Sequence, residues 1–331
     1  MEKQPLLVAY GMGVDSTAML VGMHKRGIRP DAILFADTGS EKPETYHYID
    51  IIQSWLERVG FPQLTIVRYV PKRFKHAPYA TLEGNCIANS TLPSLAFGRK
   101  SCSLKWKVAP QDKWTENWAP AQSAWADGLR VTKAIGYDAS PADTRRCTYA
   151  SAKYGEDEKY QYWYPLQDWG WTRDRCMREI ASAGLPVPVK SACFFCPASK
   201  PHEIAAIVDD HPELADRIVA MEAKAAPNLK KIEGLWRKGV KGVRGGTPKP
   251  GSMTTYIEHY RSTGKVRYEL PVIDESTKLE TTTTTSRTAS ETAAVLRRHR
   301  DLMLKFRNRS SSDVRAARSR ARSRRAAKAV A

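Results

Sequence analysis

Two groups of residues in this 331-residue sequence have the types and spacing that site chemistry requires. The first is a set of cysteines. Two residues separate Cys193 from Cys196, so both thiolates can lie on one side of a turn and bind one metal ion or one edge of an iron–sulfur cluster. Such a pair alone also permits redox chemistry. The other cysteines, from which further ligands must come, are Cys86, Cys102, Cys147 and Cys176.

The second group is a glycine-containing turn, residues 11–17, which lies between an apolar run and a helical pattern. Glycines let backbone amides approach a phosphate, and a helix N-terminus adds unpaired N–H groups. The turn lacks the Gly-Lys-Ser/Thr of a Walker A loop and the third glycine of GxGxxG. It predicts a nucleotide site, with an ordinary strand-to-helix turn as the alternative. The predicted binding residues are Gly11, Gly13, Val14, Asp15, Ser16 and Thr17, with Asp15 acting through Mg²⁺.

A similar turn, Asp37-Thr38-Gly39, follows a second apolar run at 31–36. In a parallel sheet both turns meet at the carboxyl edge of the strands, near a switch in strand order. Asp37 and Thr38 are therefore predicted to meet a ribose, a base or a metal. Glu44 and Thr45 are expected only to cap the next helix.

The elements that position these residues alternate between strand and helix patterns. Alternation of this kind predicts an α/β fold with a parallel sheet built from right-handed crossovers. The expected strands are 6–10, 31–36, 64–70 and 131–136, and the expected helices are 16–25, 43–58, 173–183, 201–209 and 212–225.

Composition favours a globular protein that binds nucleic acid. Hydrophobic residues make up 42% of the chain and the formal net charge is +18. Residues 281–331 contain 14 Lys and Arg against 3 Asp and Glu, and such charge attracts polyphosphate. A solvated tail that only aids solubility is the alternative. We divide the chain into a nucleotide-binding domain (1–185), a cysteine region (186–275) and a low-complexity basic tail (276–331) expected to be disordered. Within the cysteine region, residues 235–251 are rich in Gly, Lys and Arg and are predicted to form a mobile basic loop, with an ordinary surface loop as the alternative.

Without an 18-residue apolar run or a signal-peptide pattern at the start, we expect no membrane partner. The expected location is cytoplasmic, in the host cytoplasm if the chain is phage-encoded. Cysteines there stay reduced.

Five segments together resemble the PAPS reductase-like family of the PP-loop superfamily. GMGVDST is similar to the SGGxDS signature, with Gly11 and Met12 departing from it, and DTGSEKPET is similar to the DTGxxxPET segment. The segments 100–110, 135–146 and 164–169 follow in the family's order. The resemblance implies a Rossmann-like, adenine nucleotide α-hydrolase-like domain that binds ATP or PAPS, in a phage-type or DNA-phosphorothioation-ATPase-like branch.

The resemblance also implies a [4Fe–4S] cluster on Cys102, Cys176, Cys193 and Cys196. Ser101 stands where the family's reductases have a further cysteine, so one ligand must come from elsewhere. Cys176 is preferred for that place because it is nearer the CxxC pair, and Cys86 is the alternative. Cysteine spacing alone would equally allow Zn²⁺.

No cysteine follows Cys196, so the C-terminal nucleophile of sulfonucleotide reductases is missing. We therefore predict ATP-dependent adenylyl and sulfur transfer to DNA or tRNA, with Asp15, Lys107, Arg145 and Arg173 at the reacting phosphates and a separate sulfur-donor protein. Two alternatives stay open: an enzyme that uses PAPS or APS with an external thiol, and a nucleic-acid-binding scaffold with a structural zinc.

Overall fold

A five-stranded sheet forms the centre of the computed structural model, which describes residues 4–240 and 248–268. All neighbouring strands are parallel, in the order β3-β2-β1-β4-β5. The predicted α/β fold with a parallel sheet is confirmed, as are the four predicted strands. The strands are β1 (Leu6–Tyr10), β2 (Ala32–Asp37), β3 (Leu64–Arg68), β4 (Val131–Ile135) and β5 (Tyr160–Trp163).

Both faces of the sheet are covered, which explains why the central strands are continuous apolar runs. Alternate residues of β2 enter two different hydrophobic clusters: Ile33 and Phe35 face one side, whereas Leu34 and Ala36 face the other. All six residues of β2 are buried. Helices must therefore lie on both sides of this strand.

The helices around the sheet include the predicted ones, with bounds that differ by no more than two residues. α1 packs on α9, on the face shared with Ile33 and Phe35. In chain order the helices are α1 (Val14–Lys25), α2 (Pro43–Arg58), α3 (Leu82–Ala88), α4 (Ser101–Ser103), α5 (Ala109–Glu116), α6 (Ala119–Ala126), α7 (Pro141–Tyr154), α8 (Pro165–Asp168), α9 (Arg173–Ser182), α10 (Pro201–Asp210), α11 (Pro212–Ala225) and α12 (Met253–Thr263). Short 3₁₀ turns occupy Ser94–Phe97 and Ala226–Asn228, and a π-helical turn occupies Leu104–Val108.

A second hydrophobic cluster lies away from the sheet and joins residues 82–106 to residues 193–268. It buries faces of α3, α10, α11 and α12 together with Phe194 and Phe195. The region between β3 and β4 thus packs with the cysteine region that follows Leu185. The predicted boundary at 185 takes no account of this pairing.

The predicted mobile loop at 235–251 differs from expectation in the part that the structure describes. Leu235 and Trp236 are buried, and Val240 pairs with Lys249 through two backbone hydrogen bonds. Residues 241–247 lie outside the described residues, as does the predicted tail, 276–331. Within 4–240 and 248–268, no helix is long and apolar enough to cross a bilayer.

We predict that Gly22→Ala destabilises the fold. A Cβ at Gly22 would lie 2.3 Å from the Trp169 ring, and overpacking of this kind typically costs about 1–3 kcal/mol. The gain of about 1 kcal/mol in helix propensity is too small to offset it. Thermal unfolding should show a lower midpoint, partly restored by adding Trp169→Leu; an unchanged or higher midpoint for Gly22→Ala alone would contradict this packing.

Candidate functional site

The turn after β1 presents backbone amides at the carboxyl edge of the sheet. Gly11 is exposed, Gly13 is the N-cap of α1, and α1 starts at Val14. The amides of the first helical turn have no acceptor within the helix, and the positive end of the helix dipole lies there. The turn therefore has the geometry that binds phosphate.

Met12 explains how the turn accommodates its departure from a glycine-rich signature. Its φ of 59° lies in the left-handed region, where a side chain is strained and glycine is not. The Met12 side chain is 1% exposed and packs in the hydrophobic cluster that also contains Ile33 and Phe35. We call this cluster the sheet-side cluster. Apolar burial thus offsets the backbone strain, and the side chain points away from the amides.

The hydroxyl groups of the turn bond mainly within the protein. Ser16 Oγ donates to the Gly13 carbonyl at 3.1 Å and accepts from the Gly13 amide at 3.3 Å. Thr17 is fully buried, and its Oγ1 lies 3.0 Å from Tyr10 Oη. Ser16 therefore stabilises the turn through its hydrogen bonds to Gly13, and Thr17 packs beneath it in the core.

Asp15 and Arg173, predicted to act together, are in contact. Arg173 Nη1 lies 2.8 Å from Asp15 Oδ2 across the start of α1 and α9. The other carboxylate oxygen of Asp15 is buried without a hydrogen-bond partner. Burial raises the pKa of this carboxyl, although Arg173 opposes the shift. An unpaired buried oxygen beside free amides fits a cation carried by a polyphosphate, because Mg²⁺ binds through carboxylate and phosphate oxygens together.

The residue after β4 closes on the same turn. A Cβ at Gly136 would lie 2.9 Å from both the backbone N and the Cα of Ser16. β1 and β4 are neighbours at the point where the strand order reverses, which is where open α/β sheets bind ligands. Any side chain at Gly136 would therefore displace the first turn of α1.

Asp37 and Gly39 form the turn after β2 rather than an open binding surface. Asp37 accepts hydrogen bonds from the Gly39 amide at 2.7 Å, from Tyr46 Oη at 2.8 Å and from Arg68 Nε at 2.8 Å. Gly39 has a φ of 67°, and a Cβ there would lie 2.5 Å from Thr81 Cγ2. The Asp37 carboxylate is thus occupied by protein donors.

Thr38 links this turn to the cysteines. Thr38 Oγ1 donates to Glu41 at 3.0 Å and lies 3.3 Å from Cys193 Sγ. Lys107 Nζ lies 2.9 Å from the same Glu41 carboxylate. Burial lowers the pKa of Lys107, but Glu41 and the sulfurs of Cys193 and Cys196 raise it, with a net rise. Lys107 therefore stays cationic beside the CxxC pair, and Glu41 is a site residue that the sequence did not single out.

The segment that carries the CxxC pair contacts both turns. A Cβ at Gly13 would lie 3.7 Å from Ser191 Cβ. The Phe194 amide donates to the Ser40 carbonyl at 3.1 Å, and the backbones of Cys193 and Glu41 form an isolated antiparallel β-bridge. Residues 191–196 thus lie against both turns, with Ser191 at the turn after β1 and Cys193 at the segment after β2.

Cys86, Cys102, Cys193 and Cys196 form one electrostatic neighbourhood within the second cluster. Burial raises the pKa of Cys86 to about 12, with Cys102 contributing. Burial also raises the pKa of Cys196, again with a contribution from Cys102. Three of the four predicted ligands thus lie in or against one hydrophobic cluster, together with Cys86, the alternative fourth.

Cys176, the preferred fourth ligand, lies elsewhere. It is fully buried in the sheet-side cluster with α1, and its thiol lies 3.9 Å from the Trp171 carbonyl. Burial raises its pKa to about 12, with Asp15 and Asp138 next in effect. The structure therefore does not bring Cys176 together with the CxxC pair.

The four residues fit a thiophilic metal or cluster by chemistry, since Cys thiolates are the ligands of Zn²⁺ and iron–sulfur sites. Within the described part of the chain, however, no group of three or more His, Cys, Asp or Glu side chains stands in ligating positions.

The remaining predicted basic residue, Arg145, is exposed on α7 and has no described partner. Its neighbour Arg146 stacks on Tyr137, with the guanidinium carbon 4.5 Å from the ring centroid, and pairs with Asp143 at 2.7 Å. Tyr137 follows Gly136 directly. Arg146 is therefore tied to the segment that closes on the turn after β1.

Comparison with known proteins adds little to this geometry. No family model matches the chain, and neither does any curated protein. Among solved structures, a match is the U34-tRNA thiolase NcsA from Methanococcus maripaludis with its [4Fe-4S] cluster. It is 14% identical, with 69% of this chain and 72% of that chain covered, and the TM-score is 0.37. A similarity this low assigns neither a family nor an activity.

The two candidate fourth ligands can be separated by metal analysis. We predict that Cys86→Ala loses most iron or zinc from anaerobically purified protein, because Cys86 neighbours Cys102, whereas Cys176→Ala keeps the wild-type content. Both residues are buried, so unfolding midpoints should be compared, with Cys147→Ala on α7 as a control. Metal loss in Cys176→Ala, with full retention in Cys86→Ala, would instead show that Cys176 is the fourth ligand.

Proposed function

We propose that this chain is a nucleotide-dependent enzyme that transfers adenylyl groups and sulfur, and that its acceptor is nucleic acid. The contact of residues 191–196 with the turns after β1 and β2 carries the proposal. It brings a turn suited to phosphate and a set of cysteine sulfurs to one edge of the sheet.

In this proposal ATP binds with its phosphates against the amides of residues 11–16. The unpaired Asp15 oxygen would meet Mg²⁺ on the phosphates, and Arg173, 42% exposed at its side chain, would neutralise charge at the α-phosphate. An acceptor oxygen attacks the α-phosphorus and pyrophosphate leaves, which produces an adenylylated acceptor. Sulfide then replaces the activated oxygen, and AMP leaves with it.

In the proposal Lys107 acts beside the cysteines, whereas the sequence predicted it at the phosphates. Its ammonium lies beside the CxxC sulfurs and is fixed by Glu41, so it would favour negative charge on sulfur during transfer. A bound [4Fe–4S] cluster or zinc ion on Cys102, Cys193 and Cys196, with Cys86, would supply a site that carries sulfide. Thr38 and Ser40, which follow β2, contact Cys193 and Phe194 directly.

ATP binding depends on the close approach at Gly136. We predict that Gly136→Ala weakens ATP binding at least about tenfold, because its Cβ would meet the Ser16 backbone and displace the amides. Titration with a fluorescent ATP analogue measures this. Gly239→Ala, whose Cβ would meet no atom closer than 3.6 Å, controls for the general loss of a glycine, and equal affinity in both variants would show that ATP does not bind at this turn.

Adenylyl transfer is tested by exchange of labelled pyrophosphate into ATP. We predict that Arg173→Gln lowers the exchange rate by about 100-fold, the usual cost of removing one group that stabilises transition-state charge. Arg178→Gln, exposed on the same helix, should retain the wild-type rate. Wild-type protein that binds ATP but shows no exchange with any nucleic acid present would refute the proposed activity.

A further inference from the structure

A cleft with a volume of about 660 Å³ opens beside Cys102. Cys102 is half-buried and forms part of its wall, with Trp106 and Phe97 nearby. Phe97 is 39% exposed, which is high for a large aromatic side chain. The cleft thus combines a sulfur atom with aromatic surface that is open to a ligand.

The charge of this cleft is entirely positive. Its lining contains five cationic side chains and no carboxylate: Arg99, Lys105, Lys231, Arg237 and Lys238. Within residues 4–240 and 248–268, none of the five is in an ion pair. Cations placed together without anions repel one another, so an anionic ligand would stabilise the arrangement.

A buried carboxylate and a backbone hydrogen bond fix the basic segment in place. The Leu235 amide donates to Glu222 at 2.6 Å, and Glu222 also accepts from Met253 and Thr254 at the start of α12. The Glu233 amide donates to the Arg237 carbonyl at 2.7 Å. The three cations at 231–238 therefore stand on a hydrogen-bonded frame, and this part of the cleft is formed before a ligand arrives.

A second basic cleft of about 610 Å³ has Tyr69 in its lining. The Tyr69 ring centroid lies 5.0 Å from that of Trp106, which lines the first cleft, and Lys105 Nζ lies 4.9 Å from the Tyr69 centroid. The second cleft is lined by four more cations and again no carboxylate: Arg68, Lys72, Arg73 and Lys113. Trp106 is buried, so Tyr69 and Phe97 supply the aromatic surface that a ligand can reach. We call the two clefts together the basic track.

We propose that the basic track binds a single-stranded segment of nucleic acid and brings its reacting base to Cys102. Regular phosphates match the series of cations, and bases stack on exposed aromatic rings, as single-strand-binding surfaces require. A base that is stacked and paired inside a duplex would be unable to enter the cleft and reach Cys102. The proposal rests on the proposed function for the chemistry at Cys102, but binding by the track needs no nucleotide.

The test is binding of a fluorescent single-stranded oligonucleotide to the full chain, by anisotropy at several salt concentrations. The variant combines Arg99→Gln, Lys105→Gln and Arg237→Gln. The control combines Arg58→Gln, Arg178→Gln and Lys224→Gln, which removes the same charge at exposed positions outside both clefts. Because single strands release about 0.7 counterions per contact, the track variant should lower the salt slope by about 2 and weaken affinity more than about tenfold, while the control stays near wild type.

Equal weakening in both triple variants would overturn the proposal, because it would indicate diffuse attraction to the net charge. Ultraviolet cross-linking with an iodouridine-containing strand provides a second readout. Adducts are expected on peptides that contain Phe97 or Tyr69, and adducts confined to residues 276–331 would also overturn it. If polyglutamate competes as well as the oligonucleotide at equal charge, the track serves an acidic protein instead. None of these readouts uses ATP, so loss of pyrophosphate exchange and loss of strand binding can be told apart.

Discussion

The close approach between Gly136 and the first turn of α1 is the constraint on which the candidate site depends. It joins the ends of β1 and β4 where the strand order reverses, and it leaves no room for a side chain. A shift of the first turn of α1 would move the amides of the turn together with Asp15, which Arg173 contacts. A parallel sheet covered on both faces makes such an edge rigid, so the phosphate-type surface is formed by backbone geometry rather than by flexible side chains.

Sulfur reaches this edge through a different set of contacts. The segment 191–196 lies against both turns, and the buried Glu41 connects Thr38 to Lys107. The second hydrophobic cluster then brings Cys86 and Cys102, from the long connection between β3 and β4, to the CxxC pair. Polar contacts thus join the sheet to the second hydrophobic cluster, and the chemistry proposed for the chain uses groups from both.

Local patterns in the sequence predicted much of the fold because strand and helix periodicities are set by nearby residues. They predicted β1 to β4 and the turn at 11–17. β5 was missed because its YQYW core is short and only half-buried. Contacts far apart in sequence were not predictable in this way: proximity along the chain favoured Cys176 over Cys86, whereas the packing of 82–106 on the cysteine region reverses that order. The occupation of Asp37 by Arg68 and Tyr46 likewise depends on tertiary packing, and the tail prediction lies outside the described residues.

The burial of the cysteine sulfurs has a consequence for the chain's tolerance of oxidants. Burial keeps Cys86 and Cys193 in the neutral thiol form by raising their pKa values, and peroxide reacts with thiolate far faster than with thiol. These two buried thiols should therefore react slowly with peroxide.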